Sequence, residues 1–236
     1  MNLPEHEGET DLSGRLALVR HGIAEAAQAC ARSVDDLTLI VVTKFHPASL
    51  VRQLHELRVR DFGESRHQEA RGKVAELADL QATWHFVGQL QSKKAKQVAA
   101  YSSVIHSVDR AGLADLLSMA ETRPGGEPTE IFLQVNLTAD PARGGVAPRA
   151  ARELAEYVAP LPGLRLRGVM GVAPLGDDPR YAFERLRAVS EAVRQSLPRA
   201  SAISAGMSHD YAEAIAEGAT HLRIGSAITG NRPKPG

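Results

Sequence analysis

Cysteine is almost absent: Cys30 is the only one in 236 residues. No internal disulfide can form, and this usage fits a reducing compartment. Excess charge is also lacking, since 28 Lys and Arg balance 28 Asp and Glu. Without a basic excess there is no electrostatic draw to nucleic acid or to an anionic membrane surface. No apolar run approaches the length of a membrane span. Residues 1–11 are acidic and polar, unlike a signal peptide. The nine histidines show no paired ligand spacing, so no metal is expected. These absences point to a soluble cytoplasmic protein, and the neutral charge fits a monomer.

What is present is alternation. Hydrophobic residues make up 43% of the chain, enough for an ordinary core. Residues 12–32 read as a helix with Leu16, Val19, Ile23, Ala26, Ala27 and Cys30 on one face, Cys30 as a small core filler. Eight strand candidates follow at 39–44, 61–64, 84–88, 104–108, 131–136, 167–172, 202–206 and 221–225. Helical stretches separate them at 47–57, 65–77, 92–100, 110–120, 148–158, 179–196 and 210–217. Ser92 and Asp109 stand where N-caps belong, and Glu217-Gly218 is a helix stop. Strands and helices alternating eight times predict a single (β/α)₈ TIM barrel, with an open doubly wound sheet as the alternative. The expected organisation is a polar leader (1–11), the barrel (12–230) and a short Pro-rich tail (231–236). Residues 123–128 read as a loop rather than a linker.

Candidate chemistry gathers at strand ends. Lys44 closes the run Leu39-Ile40-Val41-Val42-Thr43. A partly buried lysine there would lose hydration and become available as an amine nucleophile. On its own it reads better as a lysine snorkelling to solvent. Strand seven ends in Gly206-Met207-Ser208-His209-Asp210, and strand eight in Arg223-Ile224-Gly225-Ser226. Glycines that admit an anion, next to hydroxyls, suit the phosphate sites that barrels build after strands seven and eight. Arg223 needs a partner, either a carboxylate such as Glu64 or a ligand ring atom. Glu64 and His85 are acid/base candidates, although His85 reads better as a core histidine bonded to backbone. Lys93, Lys94 and Lys96 read as a solvated helix face.

In this order, Val42-Thr43-Lys44, Phe62-Gly63-Glu64, Trp84-His85-Phe86-Val87-Gly88-Gln89-Leu90-Gln91-Ser92, Gly206-Met207-Ser208-His209-Asp210 and Arg223-Ile224-Gly225-Ser226 form a recognisable set. Over residues 12–230 the chain closely resembles the pyridoxal phosphate homeostasis proteins. The resemblance implies a barrel like the N-terminal domain of alanine racemase. It implies that Lys44 forms the aldimine with pyridoxal 5′-phosphate and that Ser208, Gly225 and Ser226 cradle the phosphate. Arg223 would face the pyridine nitrogen, Met207 would border the phosphate and Asn136 would lie near the ring. Ser65 stands where the family has asparagine, Gln89 where it has proline, Arg143 where it has lysine, Ser226 where it has threonine and Thr229 where it has an aromatic residue. An arginine opposite the ring nitrogen disfavours pyridinium and weakens the ring as an electron sink. The expected role is therefore a carrier in cofactor homeostasis without robust catalysis, with enzymes that depend on the cofactor as possible recipients. The alternative is an amino-acid racemase of fold type III. That reaction needs an acid/base group from a further domain, which a chain ending at Gly236 is not expected to supply. A barrel enzyme for another phosphorylated metabolite is the remaining rival.

Overall fold

Short runs rich in Val, Ile, Leu and Phe pair side by side as parallel strands: β1 (Thr38–Val42), β2 (Asp61–Glu64), β3 (Thr83–Phe86), β4 (Val104–Val108), β5 (Thr129–Gln134), β6 (Leu164–Met170), β7 (Ala202–Ser204) and β8 (His221–Ile224). β8 pairs back onto β1, with Thr38 opposite His221 and Val41 opposite Ile224, so the sheet is a closed barrel in sequence order. The computed structural model describes residues 11–120 and 126–231. Closure decides between the two architectures that the alternating pattern allows: the chain is a (β/α)₈ barrel.

The helices are α1 (Leu12–Ala29), α2 (Ala48–Glu56), α3 (His67–Glu76), α4 (Ala95–Ala99), α5 (Ala111–Ser118), α6 (Ala151–Val158), α7 (Pro179–Ser196), α8 (Tyr211–Ala216) and α9 (Ser226–Thr229). α1 precedes the barrel and buries Leu16, Val19, Ile23 and Ala27, a stripe at helical spacing. It packs on α8 and α9, across the barrel from the middle strands. Two arginines tie it there. Arg15 Nε donates to the Ile228 carbonyl at 2.8 Å. Arg32 donates to the carbonyls of Ile215 (2.8 Å) and Ala219 (2.7 Å), near and just past the end of α8.

Side-chain alternation splits the core. Ile131 and Leu133 of β5 join the large cluster under the helices, whereas Phe132 points the other way, into the barrel. There it packs with Val104, Met170 and Ala202, stacks on His106 with ring centres 4.6 Å apart, and meets the edge of His221 at 5.0 Å. The barrel interior thus carries histidines as well as hydrocarbon.

Local departures from the expected elements have physical reasons. Lys44 and Gly206 lie beyond the last ladder residues of β1 and β7, in turns. Asp109 caps no helix: its Oδ1 pairs with Arg110 and its Oδ2 accepts the Gly145 N–H. Ser92 opens a 3₁₀ turn (Ser92–Lys94) instead of capping, and its Oγ accepts from Arg110. Cys30 is the half-buried residue that closes α1, not a core filler. Residues 1–10 of the leader, 121–125 of the loop and 232–236 of the tail lie outside the described residues.

Candidate functional site

The C-terminal ends of β1, β2, β7 and β8 share one mouth of the barrel, the face where such barrels carry chemistry. The turns after β7 and β8 meet there. Ser208 Oγ lies 3.5 Å from Ser226 Oγ and accepts the Ala227 N–H at 3.3 Å. Gly206 has φ of +89°, and a Cβ on it would come 2.8 Å from Ala214 Cβ, so this turn requires glycine. Its carbonyl accepts the Arg223 N–H at 2.9 Å, which ties the β7 turn to β8. On the other side Gly225 touches β1, since a Cβ there would sit 3.4 Å from the Val42 carbonyl oxygen. Lys44 follows two residues later. Its side chain is exposed, not partly buried, and its ammonium stands 5.9 Å from the Phe45 ring centre. The exposure follows from its place past the last paired residue of β1.

Behind Lys44 lies a buried charged cluster. Lys73, near the end of α3, turns its side chain into the molecule, where only 7% of it is exposed. Its Nζ donates to Glu64 Oε1 (2.7 Å), Glu69 Oε1 (2.8 Å) and the Thr43 carbonyl (2.7 Å). Thr43 Oγ1 adds a bond to Glu64 Oε1 at 2.7 Å. Burial pushes the Glu64 carboxyl above its ordinary value, while Lys73 and the Thr43 hydroxyl work against that rise. Glu64 Oε2 has no hydrogen-bond partner among the described residues.

Arg223 does not pair with Glu64. Its two terminal nitrogens donate to Ser204 Oγ at 2.6 Å and to the Gly171 carbonyl at 3.0 Å. Burial lowers its guanidinium to about 10, with Asp210 opposing, so it remains a cation at neutral pH. From Ser204 a chain of contacts runs through the barrel: Ser204 Oγ to His106 Nδ1 (2.9 Å), His106 Nε2 to His85 Nδ1 (3.0 Å), and His85 Nε2 to Asp61 Oδ1 (3.0 Å). His85 is a core histidine as expected, but its partners are these side chains and not backbone. Burial, then the neighbouring His85, Arg223 and His221, hold His106 far below the ordinary imidazole value.

The structure therefore groups Lys44, Ser208, Arg223, Gly225 and Ser226 around one mouth. Met207 is exposed there, with its N–H donated to Asp210 Oδ1 at 2.6 Å. Asn136 spends its side chain on its own loop: Oδ1 accepts from the Thr138 N–H and hydroxyl, and Nδ2 donates to the Asp140 carbonyl. No hydrogen bond joins it to the other candidates among the described residues. Sequence reading missed Lys73, Glu69, His106 and Ser204. Only the i, i+4 spacing of Glu69 and Lys73 was a signal, and that spacing ordinarily marks a surface pair.

The model of the alanine racemase N-terminal domain family matches residues 15–233. The pyridoxal phosphate homeostasis protein of Pseudomonas aeruginosa is 43% identical over 225 residues, covering 94% of this chain and 96% of that protein. The chain belongs to the pyridoxal phosphate homeostasis protein family. Among solved structures, that of PipY from Synechococcus elongatus with PLP bound has a TM-score of 0.81 and 35% identity, over 93% of this chain and all of that one. Alanine racemase from Corynebacterium glutamicum, at a TM-score of 0.69 and 13% identity over 94% of this chain and 62% of that one, shares the fold alone.

Ser65 and Gln89 line a cavity of about 430 Å³ together with Arg66, His67, Phe86 and Lys94. Gly88 is needed beside it, because a Cβ would fall 2.3 Å from the Ser65 carbonyl oxygen. Thr229 turns its hydroxyl to the Gly225 carbonyl at 3.2 Å and so braces the β8 turn. Arg143 lies apart, lining a smaller cavity with Asn136 and Gly144. No helix among the described residues is long and apolar enough to cross a membrane.

Proposed function

We propose that this protein binds pyridoxal 5′-phosphate, holds it as a reversible covalent adduct on Lys44 and serves in intracellular cofactor homeostasis without robust catalysis. The observation that carries the reading is the shared mouth: the amine follows β1, β1 is paired with β8, and the β8 turn meets the β7 turn at Ser208 and Ser226. When bound, the cofactor supplies an aldehyde that condenses reversibly with a primary amine, releasing one water. The residues fit such a group. Ser208 and Ser226 offer hydroxyls, and Gly206 and Gly225 let backbone come close to an anion. Met207 and Asn136 border this site in the proposal. Two of the five guanidinium N–H groups of Arg223 are spent on Ser204 and Gly171, which leaves donors for an acceptor atom at the mouth. A fixed cation beside the ring nitrogen disfavours its protonation, and so disfavours carbanion chemistry.

The two names support the reading in different ways. The Pseudomonas relative is a homeostasis protein, and PipY is a protein solved with PLP. Storage and delivery to apo-enzymes follow from reversible exchange of the adduct. The experiment is an absorption spectrum of the purified protein loaded with pyridoxal phosphate, then borohydride reduction and peptide mapping. The expected result is a visible band and a single trapped adduct on Lys44, both lost in Lys44→Ala with the fold intact. An adduct that persists elsewhere in that variant overturns the assignment. Exchange of amino-acid α-hydrogens with solvent at a sustained rate would restore the racemase alternative.

A further inference from the structure

We infer that Lys73, Glu64 and Glu69 form a positioning clamp that fixes the backbone on both sides of Lys44; this rests on the reading of Lys44 as the cofactor-bearing amine. The carbonyl before Lys44, that of Thr43, accepts from Lys73 Nζ at 2.7 Å. The N–H after it, that of Phe45, donates to Glu69 Oε1 in a short bond. The peptide units flanking the lysine are thus tied to side chains from α3, and those side chains are tied to each other and to Glu64 at the end of β2. All three ammonium hydrogens of Lys73 have acceptors, so its orientation is fully determined.

Two further observations give this arrangement a task beyond filling space. The first is its cost. Taking charges out of water is expensive, and an ion pair in the interior often does no better for stability than well-packed hydrocarbon would. Here the Lys73 and Glu64 side chains are only 7% and 2% exposed. The second is strain. Phe45 has φ of +70°, a left-handed conformation that a residue with a Cβ enters at a cost and keeps only where its surroundings over-determine it. Glu69 on its N–H, with Arg66 stacked 4.7 Å from its ring centre, supplies that restraint. The backbone is locked while the Lys44 side chain itself stays exposed at the mouth. Reaction of an amine with a carbonyl depends steeply on placement, and misplacement by an ångström costs up to about a hundredfold in rate.

The test separates placement of the amine from anchoring of the phosphate. Adduct formation between apo-protein and pyridoxal phosphate is followed by stopped-flow absorbance. Binding of pyridoxine phosphate, which carries the phosphate and ring but no aldehyde, is measured by calorimetry. In Lys73→Met the adduct forms about tenfold or more slowly, while pyridoxine phosphate affinity stays within about twofold. Glu69→Leu, which frees the Phe45 N–H at a partly exposed position, shows the same split and carries the test if Lys73→Met does not fold. Glu69→Gln keeps an acceptor for that N–H and recovers part of the rate. Wild-type rates in a folded Glu69→Leu overturn the clamp, as does a parallel fall of pyridoxine phosphate affinity. If the unaltered protein yields no trapped adduct on Lys44, the underlying reading fails and the clamp falls with it. A Lys44 adduct that forms equally fast in every variant sinks the clamp alone.

Discussion

Arg223 can only donate and the Asp61 carboxylate can only accept, so the contacts between them take one polarity when each ring carries one proton. Arg223 donates to Ser204, Ser204 to His106 Nδ1, His106 Nε2–H to His85 Nδ1, and His85 Nε2–H to Asp61. Both histidine tautomers follow from the ends of the chain. Ser204 is the joint, because its hydroxyl accepts and donates at once. Ser204→Ala leaves a buried guanidinium N–H and a buried imidazole nitrogen without partners. The expected loss is about 1–3 kcal/mol, read as a lower midpoint in urea denaturation at unchanged slope; an unchanged midpoint would show that the chain carries no stability. Little of this was legible in sequence. Arg223 at a strand end announced the need for a partner, but the sequence offered only a carboxylate such as Glu64 or a ligand ring atom. A serine in a three-residue strand carries no mark that it faces an arginine, and the β7–β8 register alone brings the two together.

At the scale of elements the sequence was more informative. β2, β4 and α7 span the residues that periodicity assigned to them, because turn residues or a helix-opening proline bracket each one. The strand ends at the mouth were drawn one or two residues too long, since Thr43 and Ala205-Gly206 carry no charge to mark where the ladder stops. Lys73 falls in the helical stretch expected at 65–77, where nothing in the sequence singles it out. The pattern of α3 is polar on most sides, and only packing against the β1 turn shows that one of its charges is buried. α1 was legible as an amphipathic helix, but not as the strap over α8 and α9. Arg32 contributes to that role, since its guanidinium donates to two carbonyls near and just past the end of α8, where the helix dipole also favours a cation. Arg32→Ala removes both bonds at a partly buried site. A loss of about 1–3 kcal/mol is expected, with faster amide exchange in residues 211–219; exchange unchanged there would mean that α8 is held by its apolar contacts alone.

For the whole molecule, closure of the barrel joins Lys44 to Gly225, and it also encloses imidazoles that must stay neutral. Burial first, then His85, Arg167 and Arg223, lower His221 from 6.5 to about 4, with Asp61 opposing. His106 is lowered in the same sense. In the unfolded chain both rings titrate near 6.5. Below that pH the unfolded state takes up protons that the fold refuses, so stability falls as pH drops from 6.5 towards 4 and is independent of these groups above 7. Each such ring contributes a slope of about 1.4 kcal/mol per pH unit within its window. Glu64 acts in the opposite sense. Its folded value lies above 4.5, so its contribution is present at low pH and is lost as pH rises through that value. The two signs overlap just above 4.5, which makes the wild-type curve alone ambiguous and a difference measurement necessary. His221→Asn removes one titrating ring from the half-buried end of the histidine group, leaving His106 and Glu64 in place. Unfolding free energies measured by urea at pH 7, 6, 5 and 4.5 are expected to fall less steeply in the variant than in the wild type, and the two curves converge in slope above 7. Parallel curves across the whole range would mean that His221 is charged inside the folded barrel, beside Arg167 and Arg223, and that its place in the wall of the barrel is far better hydrated than its packing against Phe132 implies.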